Sequence, residues 1–146
     1  MKNKTRAIAW IKMAEDDLKD AIRDLRDKSY PSSVFHSQQC CEKACKALLN
    51  FFAIKSGKSH FPASIIEDQI LRGNKYGLRD PELKKLSEIV DLSKPLESQK
   101  EFPRYGIETK EKIILPSELY DKDKAKSFLS SAKEVLKIAR DFIYKK

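Results

Sequence analysis

Apolar residues recur at helical spacing near both ends of the chain. Toward the N-terminus they alternate in steps of four and three, which predicts a helix over about residues 5–27 with one narrow apolar face, at Ala7, Ile11, Ala14, Leu18, Ala21 and Leu25. The cleanest pattern begins near Asp121 and predicts a long C-terminal helix, with apolar positions at Ala125, Phe128, Leu129, Ala132, Val135, Leu136, Ala139, Phe142 and Ile143.

Three further helices are predicted between these two from turn residues and apolar spacing. Ser29-Tyr30-Pro31 starts a helix that is expected to run to about residue 55, where Ser56-Gly57 would end it. A short helix is predicted over about 62–71, with its end at Gly73-Asn74. Asp80-Pro81-Glu82 starts another, to about residue 93, with the Asp80 side chain expected to accept from the free N–H groups.

Residues 94–120 contain three prolines and a glycine and show no sustained period. Because structureless loops seldom exceed about 12 to 15 residues, this connection is expected to be functional or to contain short helical pieces. The only β-like segment, 112–115, is too short for a sheet to be expected. The predicted fold is therefore all-α: one domain over residues 1–146, an up-and-down antiparallel bundle of four main helices plus a short one.

The chain is basic, with 30 Lys and Arg against 22 Asp and Glu, a net charge of +8 and a pI near 9.3. Residues 122–146 contribute eight basic residues and only three acidic ones. Two interpretations stay open: a solvated helix face in a Lys-rich chain, or a face that binds a polyanion such as RNA.

The three cysteines, Cys40, Cys41 and Cys45, all fall in one predicted helix and cannot form a disulfide framework. Free thiols indicate a cytoplasmic protein. No second Cys or His pair accompanies them, so no metal site is predicted. Neither a signal-peptide-like apolar stretch nor a run of about 20 apolar residues is present, so no membrane segment is expected.

The second helix carries polar residues where a core helix would carry leucines. Gln38 falls inside the apolar stripe of Val34, Cys41, Cys45, Leu48 and Phe52, and a mixed stripe beside it holds Phe35, Gln39, Glu42, Lys46, Leu49 and Ala53. Each buried polar group left unpaired costs about 1 to 3 kcal/mol, so partners from other segments are expected. An internal polar network, a ligand and a subunit partner are the three explanations.

This helix resembles the F-x-x-Q-Q-x-x-E-K-x-x-K-A-L helix of the HEPN family. The resemblance rests on Phe35, Gln38-Gln39, Glu42-Lys43 and Lys46-Ala47-Leu48, and is supported by Trp10, Ala14, Asp17-Leu18, Ala21, Ser59-His60 and Arg104-Tyr105. It implies an up-and-down helical bundle, usually a homodimer. It also implies a role beside a minimal nucleotidyltransferase in a toxin-antitoxin-like, two-component system.

The leading hypothesis from this resemblance is a bundle that binds a nucleotide or the nucleotidyltransferase and needs no cofactor. Its candidate binding residues are Gln38, Gln39, Glu42, Lys43, Lys46, Arg104 and Tyr105. Arg104 would hold a phosphate or carboxylate bidentately, Tyr105 would stack, and the two lysines would supply charge. The competing interpretation of Arg104 is a loop anchor that pairs with Glu42 or with an acid of the first helix.

Many relatives are metal-independent ribonucleases marked by an Arg and a later His with four to six residues between them, and this chain lacks that pattern. The positions that would need Arg read Ser-Tyr-Pro before His36 and Ala-Ile-Lys before His60. Two alternatives remain. One is a ribonuclease that assembles His60 and Arg104 from separate segments; the other is a homodimeric interaction module without a ligand. His36 is expected to be structural.

Overall fold

The computed structural model of the protein describes residues 3–145, and four long helices dominate it. In chain order the elements are α1 (Lys4–Arg26), α2 (Tyr30–Phe51), α3 (Pro62–Ile66), α4 (Asp80–Glu97), α5 (Phe102–Tyr105), β1 (Ile107–Glu108), β2 (Ile113–Ile114), α6 (Pro116–Leu119) and α7 (Lys122–Tyr144). None of the helices in this described part of the chain is both long enough and apolar enough to span a membrane.

The long helices alternate in direction. A short turn reverses the chain between α1 and α2, and the Lys4 ammonium at the start of α1 donates to the Tyr144 carbonyl at the end of α7 (3.4 Å). Near the end of α2, Cys45 Sγ lies 3.5 Å from Ser93 Oγ of α4, while Gln38, earlier in α2, meets the last turn of α4. The predicted up-and-down antiparallel bundle is confirmed.

The core lies around α2, which contacts α1, α4 and α7. Its largest fully buried side chains include Ile11, Leu48, Phe51, Leu86 and Ile143. The three cysteines are free thiols buried in this core, and burial raises the pKa of Cys40 and Cys45 to about 12. Protonated and enclosed, they act as small apolar side chains.

Both α1 and α2 end in a Schellman turn without glycine. After α1, Lys28 is left-handed (φ 61°), and the N–H groups of Ser29 and Lys28 donate to the carbonyls of Asp24 (2.8 Å) and Leu25 (3.1 Å). After α2, Ala53 (φ 57°) takes the same place. The prediction that α2 runs to residue 55 is therefore wrong, because the chain turns at an alanine that carries no glycine signal.

Two predictions at α4 are also wrong. Arg79, not Asp80, precedes the first turn, and the Glu82 carboxylate accepts from the Arg79 N–H (3.1 Å). The helix also continues past residue 93, through Pro95, to Glu97. A proline near a helix end removes only one backbone hydrogen bond, and here the packed Leu96 carries the helix beyond it.

The remaining segments combine short elements. The predicted short helix consists of α3, then a wider π-type turn over Glu67–Leu71 and a tight turn over Arg72–Asn74. Short helical pieces occur in the 94–120 connection as expected. A sheet does form there, contrary to prediction: β1 and β2 pair antiparallel, with Ile107 opposite Ile114, and together they brace the end of α5.

Candidate functional site

A cavity of about 320 Å³ opens between the middle of α2, the loop before α3, the end of α4 and α5. We call it the site cavity; its lining residues are Gln38, Gln39, Glu42, His60, Phe61, Glu97, Lys100, Glu101 and Arg104. Five of them, Gln38, Gln39, Glu42, His60 and Arg104, are residues that the sequence singled out. The fold thus brings together candidates from three separate segments.

Gln38 is the structural member of this set. Its amide nitrogen donates to the carbonyls of Leu96 (3.0 Å) and Lys100 (2.9 Å), which belong to the last turn of α4 and the residues after it. The Leu96 carbonyl also accepts from the Gln99 N–H (3.2 Å), whereas the Gln38 amide is the donor that the described chain provides to the Lys100 carbonyl. Gln38 therefore belongs to an internal polar network, which joins α2 to the end of α4.

The neighbouring Gln39 is half-buried and lines the cavity, but its amide has no hydrogen-bond partner within residues 3–145. An amide offers two donors and one acceptor. Gln39 therefore presents hydrogen-bonding capacity to whatever enters the cavity.

Glu42 organises the cavity wall. One carboxylate oxygen lies 3.2 Å from His60 Nδ1 and the other 3.4 Å from the Lys46 ammonium, while the Glu42 side chain is only 11% exposed. The His60 side chain is 78% exposed, and its Nε2 has no hydrogen-bond partner within residues 3–145. A carboxylate that accepts from Nδ1 favours the tautomer whose Nε2 is a proton acceptor, which suits general base chemistry.

The two lysines among the candidates do not line the cavity. The Lys43 ammonium pairs with Asp17 of α1 (2.5 Å), and Lys46 is buried behind Glu42, with its ammonium 5.6 Å from the centre of the Trp10 ring. Both lysines join α2 to α1. Lys46 reaches the cavity only through the carboxylate of Glu42.

Arg104 is, with Lys100 and Glu101, one of three charged lining residues whose side chains form no ion pair or hydrogen bond within residues 3–145. Its guanidinium lies 5.0 Å from the centre of the Phe35 ring and 5.2 Å from that of Tyr105, yet it makes no salt bridge or hydrogen bond with the described residues. It does not pair with Glu42 or with an acid of α1, so the loop-anchor interpretation is wrong. Two rings hold an exposed cation at the cavity mouth with its five donors free.

Tyr105 is 67% exposed and sits outside the cavity lining. Its ring contacts the Arg104 guanidinium, and the chain turns sharply at the next residue, Gly106 (φ 71°). A Cβ at Gly106 would overlap the carbonyl oxygen of Ile114, so the close approach of α5 to β2 requires glycine. This turn fixes the direction of Arg104 and Tyr105.

Glu97 is one of four lining residues, with Phe61, Lys100 and Glu101, that the sequence did not indicate. It ends α4, is almost fully buried, and accepts from the Ala63 N–H at the start of α3 (2.7 Å). Burial raises its pKa from an ordinary 4.5 to about 7, a shift that the Ala63 hydrogen bond opposes and the Glu42 carboxylate reinforces. The predicted end of the helix at residue 93 hid this carboxyl group.

His36 belongs to a different cluster, between α1 and α2. Its Nδ1 lies 2.8 Å from the Asp24 carboxylate, which also accepts from the Ser32 hydroxyl (2.6 Å). These contacts agree with the expected structural role of His36. Asp17, Asp20 and His36 place ligand atoms within 4.8 Å of one another, but Lys43 already neutralises Asp17.

The comparison with protein families agrees with the helix motif. The model of the HEPN domain matches residues 7–142. The chain belongs to the HEPN domain family. A relative from Methanocaldococcus jannaschii, named "Putative toxin MJ1304", is 34% identical over 137 residues, which cover 94% of this chain and 88% of that protein.

Solved HEPN structures share this fold. The crystal structure of ST0689, an archaeal HEPN homologue, is 27% identical and superposes with a TM-score of 0.66 over 98% of this chain and 99% of that one. A HEPN domain protein from Thermotoga maritima is 17% identical, with a TM-score of 0.57 over 94% of this chain and 99% of that one, and it supports the fold alone.

Proposed function

We propose that this HEPN protein is toxin-like and binds the phosphate of a nucleotide or of RNA in the site cavity, with Arg104 as the anchor. The relative from Methanocaldococcus jannaschii that is named as a toxin supports the toxin-like role. A volume of about 320 Å³ lies within the range of small-ligand sites.

The single observation that carries this proposal is the unpaired Arg104 guanidinium. Three carboxylates line the same cavity, those of Glu42, Glu97 and Glu101, yet none of them takes the arginine. A planar guanidinium matches two phosphate oxygens with two parallel hydrogen bonds, which lysine does not provide. The rings of Phe35 and Tyr105 hold it in place before the ligand arrives, and this lowers the entropic cost of binding.

Other groups would complete the recognition. The free amide of Gln39 has the donors and acceptor needed to bind a base or a ribose hydroxyl, and the exposed Phe61 ring offers a surface for stacking. Glu42 and Gln38 would act indirectly, by fixing His60 and the end of α4. In this proposal Lys43 and Lys46 hold α2 against α1 and do not contact the ligand.

Isothermal titration with ATP, GTP, AMP and a 5′-phosphorylated RNA pentamer tests the proposal. Arg104→Ala should weaken binding at least about tenfold and Arg104→Lys should restore only part of it, because lysine lacks the planar fork. Arg72→Ala is the control: this exposed arginine pairs with Asp68 and does not line the cavity. Absence of binding by the unmodified protein to all four ligands would contradict the proposal.

A second candidate function is RNA cleavage without a metal, supported by the presence of His60 and Arg104 in one cavity. His60 Nε2 would take the proton of a ribose 2′-hydroxyl, whose oxygen would attack the adjacent phosphorus. The protonated Glu97 carboxyl would give its proton to the departing 5′-oxygen, leaving a 2′,3′-cyclic phosphate. Arg104 would neutralise the charge that develops on the phosphate oxygens.

Cleavage of a fluorogenic RNA separates the two candidates. If the chain is a ribonuclease, His60→Gln and Glu97→Gln should each lower the rate at least about a hundredfold. Substrates with 2′-deoxyribose at the cleaved position should remain intact. Binding of RNA without any cleavage would leave the first candidate as the function.

We also propose that the chain forms a homodimer and pairs with a minimal nucleotidyltransferase in the cytoplasm. Tyr105, Ile113 and Leu115 are each more than half exposed and lie on the segment next to the cavity mouth, which supports a protein contact there. Light scattering at several concentrations measures the first association. Co-elution of the two purified proteins measures the second.

A further inference from the structure

A second concavity, of about 420 Å³, lies between the end of α1, the turn into α2 and the first three turns of α7. We call it the basic groove. Its polar lining consists of Arg26, Lys28, Tyr30, Lys122, Lys126 and Lys133, and the described residues contribute no carboxylate to it. We propose that the basic groove binds the phosphodiester backbone of a single-stranded nucleic acid.

The charges in the groove lack partners, whereas other cations on the same helix have them. On α7, Lys124 donates to the Leu119 carbonyl, Lys137 pairs with Asp141 and Arg140 pairs with Glu15. Lys122, Lys126 and Lys133 form no ion pair within residues 3–145. Arg26 lies 3.9 Å from Asp27, but both are highly exposed, so that pair neutralises little.

The spacing of the three lysines matches a linear ligand. Steps of four and seven residues place them on one face of α7, spread over about 16 Å along the helix axis. A row of like charges repels itself until counterions or phosphates neutralise it. Release of those counterions on binding is the main source of affinity for a nucleic acid strand.

The floor of the groove favours nucleic acid over an acidic peptide. It combines the half-buried ring of Tyr30 with Leu25 and Leu129, and Ile22 beside it is 41% exposed. Aromatic and apolar side chains beneath a basic rim are the arrangement that stacks unpaired bases in single-strand binding proteins. An acidic peptide would pair with the basic side chains of the groove but would leave the Tyr30 ring without a stacking partner.

Lys28 gives independent support. It occupies the left-handed position of the α1 Schellman turn, where glycine is the residue without strain. The Lys28 side chain lines the groove together with the lysines of α7. Ala53 occupies the equivalent position after α2 and does not line the groove, so it provides a matched control.

Fluorescence anisotropy with labelled 12-nucleotide RNA and DNA single strands tests the proposal. Lys126→Ala combined with Lys133→Ala should weaken binding at least about tenfold and reduce the slope of log affinity against log salt by about 1.4. The control replaces Lys84 and Lys85 of α4, two exposed lysines outside the groove, and should change binding less than about twofold. Binding of either strand supports the proposal, and the difference between them identifies the natural ligand.

Lys28→Gly separates binding from folding. Glycine removes the left-handed strain, so the melting temperature should rise by about 3 °C while nucleic acid binding weakens. Ala53→Gly should give the same rise with unchanged binding. Three results would each overturn the proposal. They are an equal loss of affinity in the groove and control lysine variants, binding of polyglutamate as tight as that of the strands, and no binding of either strand at 50 mM salt. For strands that carry no 5′-phosphate, Arg104→Ala should leave this binding largely intact, so failure of the groove and failure of the site cavity are distinguishable.

Discussion

The site cavity and the basic groove differ in how they arrange charged groups. The cavity is assembled from the middle of α2 and the ends of other elements, contains three carboxylates, and holds the unpaired Arg104 guanidinium between two rings. The groove is assembled from solvent-exposed basic residues on two helices and a turn, with no carboxylate among its described lining residues. An enclosed site recognises the shape and hydrogen-bonding groups of a small ligand. An open basic surface attracts any phosphate chain, and salt weakens that attraction.

The difference has a measurable consequence for stability. Cavity residues such as Gln38 and Glu97 also connect helices, so changes there should alter both folding and binding. Groove lysines touch little, so changes there should alter binding alone. The predictions that follow test this contrast, from the largest expected effect to the smallest.

Gly106→Ala should cause the largest loss, about 3 kcal/mol of unfolding free energy, because the new methyl group collides with the Ile114 carbonyl at the end of α5. Ligand binding at Arg104 should weaken with it, since the turn directs that side chain. Gly77→Ala is the control: it also has positive φ but meets nothing within 4 Å, so it should cost only about 1 kcal/mol. Equal losses in urea denaturation would contradict the packing of this turn.

Glu97 should make stability depend on pH. Its folded pKa of about 7 lies above the ordinary 4.5, so the folded chain binds more protons across that window. The stabilisation from this extra proton binding is complete below about pH 4.5 and is lost as the pH rises to about 7. The free energy of unfolding falls by about 3 kcal/mol over that range. Relative to the unmodified protein, Glu97→Gln should therefore gain stability as the pH rises from 4.5 to 8.

Chemical denaturation at several pH values measures this effect, and Glu101→Gln, an exposed residue of the same cavity, is the control. Binding of a phosphate ligand should also strengthen as the pH falls from 8 to 6, because the cavity loses a negative charge. Only the part of the change that Glu97→Gln removes belongs to Glu97. A parallel pH profile for the two proteins would rule out Glu97 as the titrating group.

Gln38→Leu should lower stability by about 2 kcal/mol, because two hydrogen bonds are lost and the Lys100 carbonyl keeps no donor within the described chain. The adjacent Gln39→Leu should change stability by less than about 0.5 kcal/mol but weaken ligand binding, since that amide has no partner within the described chain. Thermal unfolding and titration of both variants measure the pair. The reverse pattern would mean that the two amides have exchanged roles.

Replacing Lys126 and Lys133 with alanine should have the smallest effect on folding, less than about 0.5 kcal/mol, because both side chains are exposed and unpaired. Alanine is also the better helix former, which offsets the loss of the apolar stems. A loss above about 1 kcal/mol in urea denaturation would show that these lysines stabilise the bundle and do not merely face solvent.

The sequence was sufficient for the bundle because its apolar periodicity is strong. It also indicated the site through one local contradiction, the amides and charges of Gln38, Gln39 and Glu42 in a core helix. Which neighbour each of these residues meets depends on tertiary contacts that a single helix does not encode. Lys43 and Lys46 illustrate the limit, since both turn out to join α2 to α1.

Other features could not be predicted because the local sequence favours a different structure at those positions. Pro95 favours an end of α4 near residue 93, but packing extends the helix to Glu97. Glu97 was therefore not predicted as a site residue. Ala53 and Lys28 occupy positions where glycine is the usual signal. The basic groove joins residues about 100 positions apart, so only the excess charge of the C-terminal helix was visible in advance.

The most direct test of the contrast is the salt dependence of binding of one 5′-phosphorylated RNA strand to three proteins: unmodified, Arg104→Ala, and Lys126→Ala combined with Lys133→Ala. We predict that Arg104→Ala lowers affinity with a change in salt slope of at most about 0.7, whereas the double lysine variant reduces the slope by about twice as much. Identical slopes and affinities for the two variants would contradict the assignment of separate roles to the cavity and the groove.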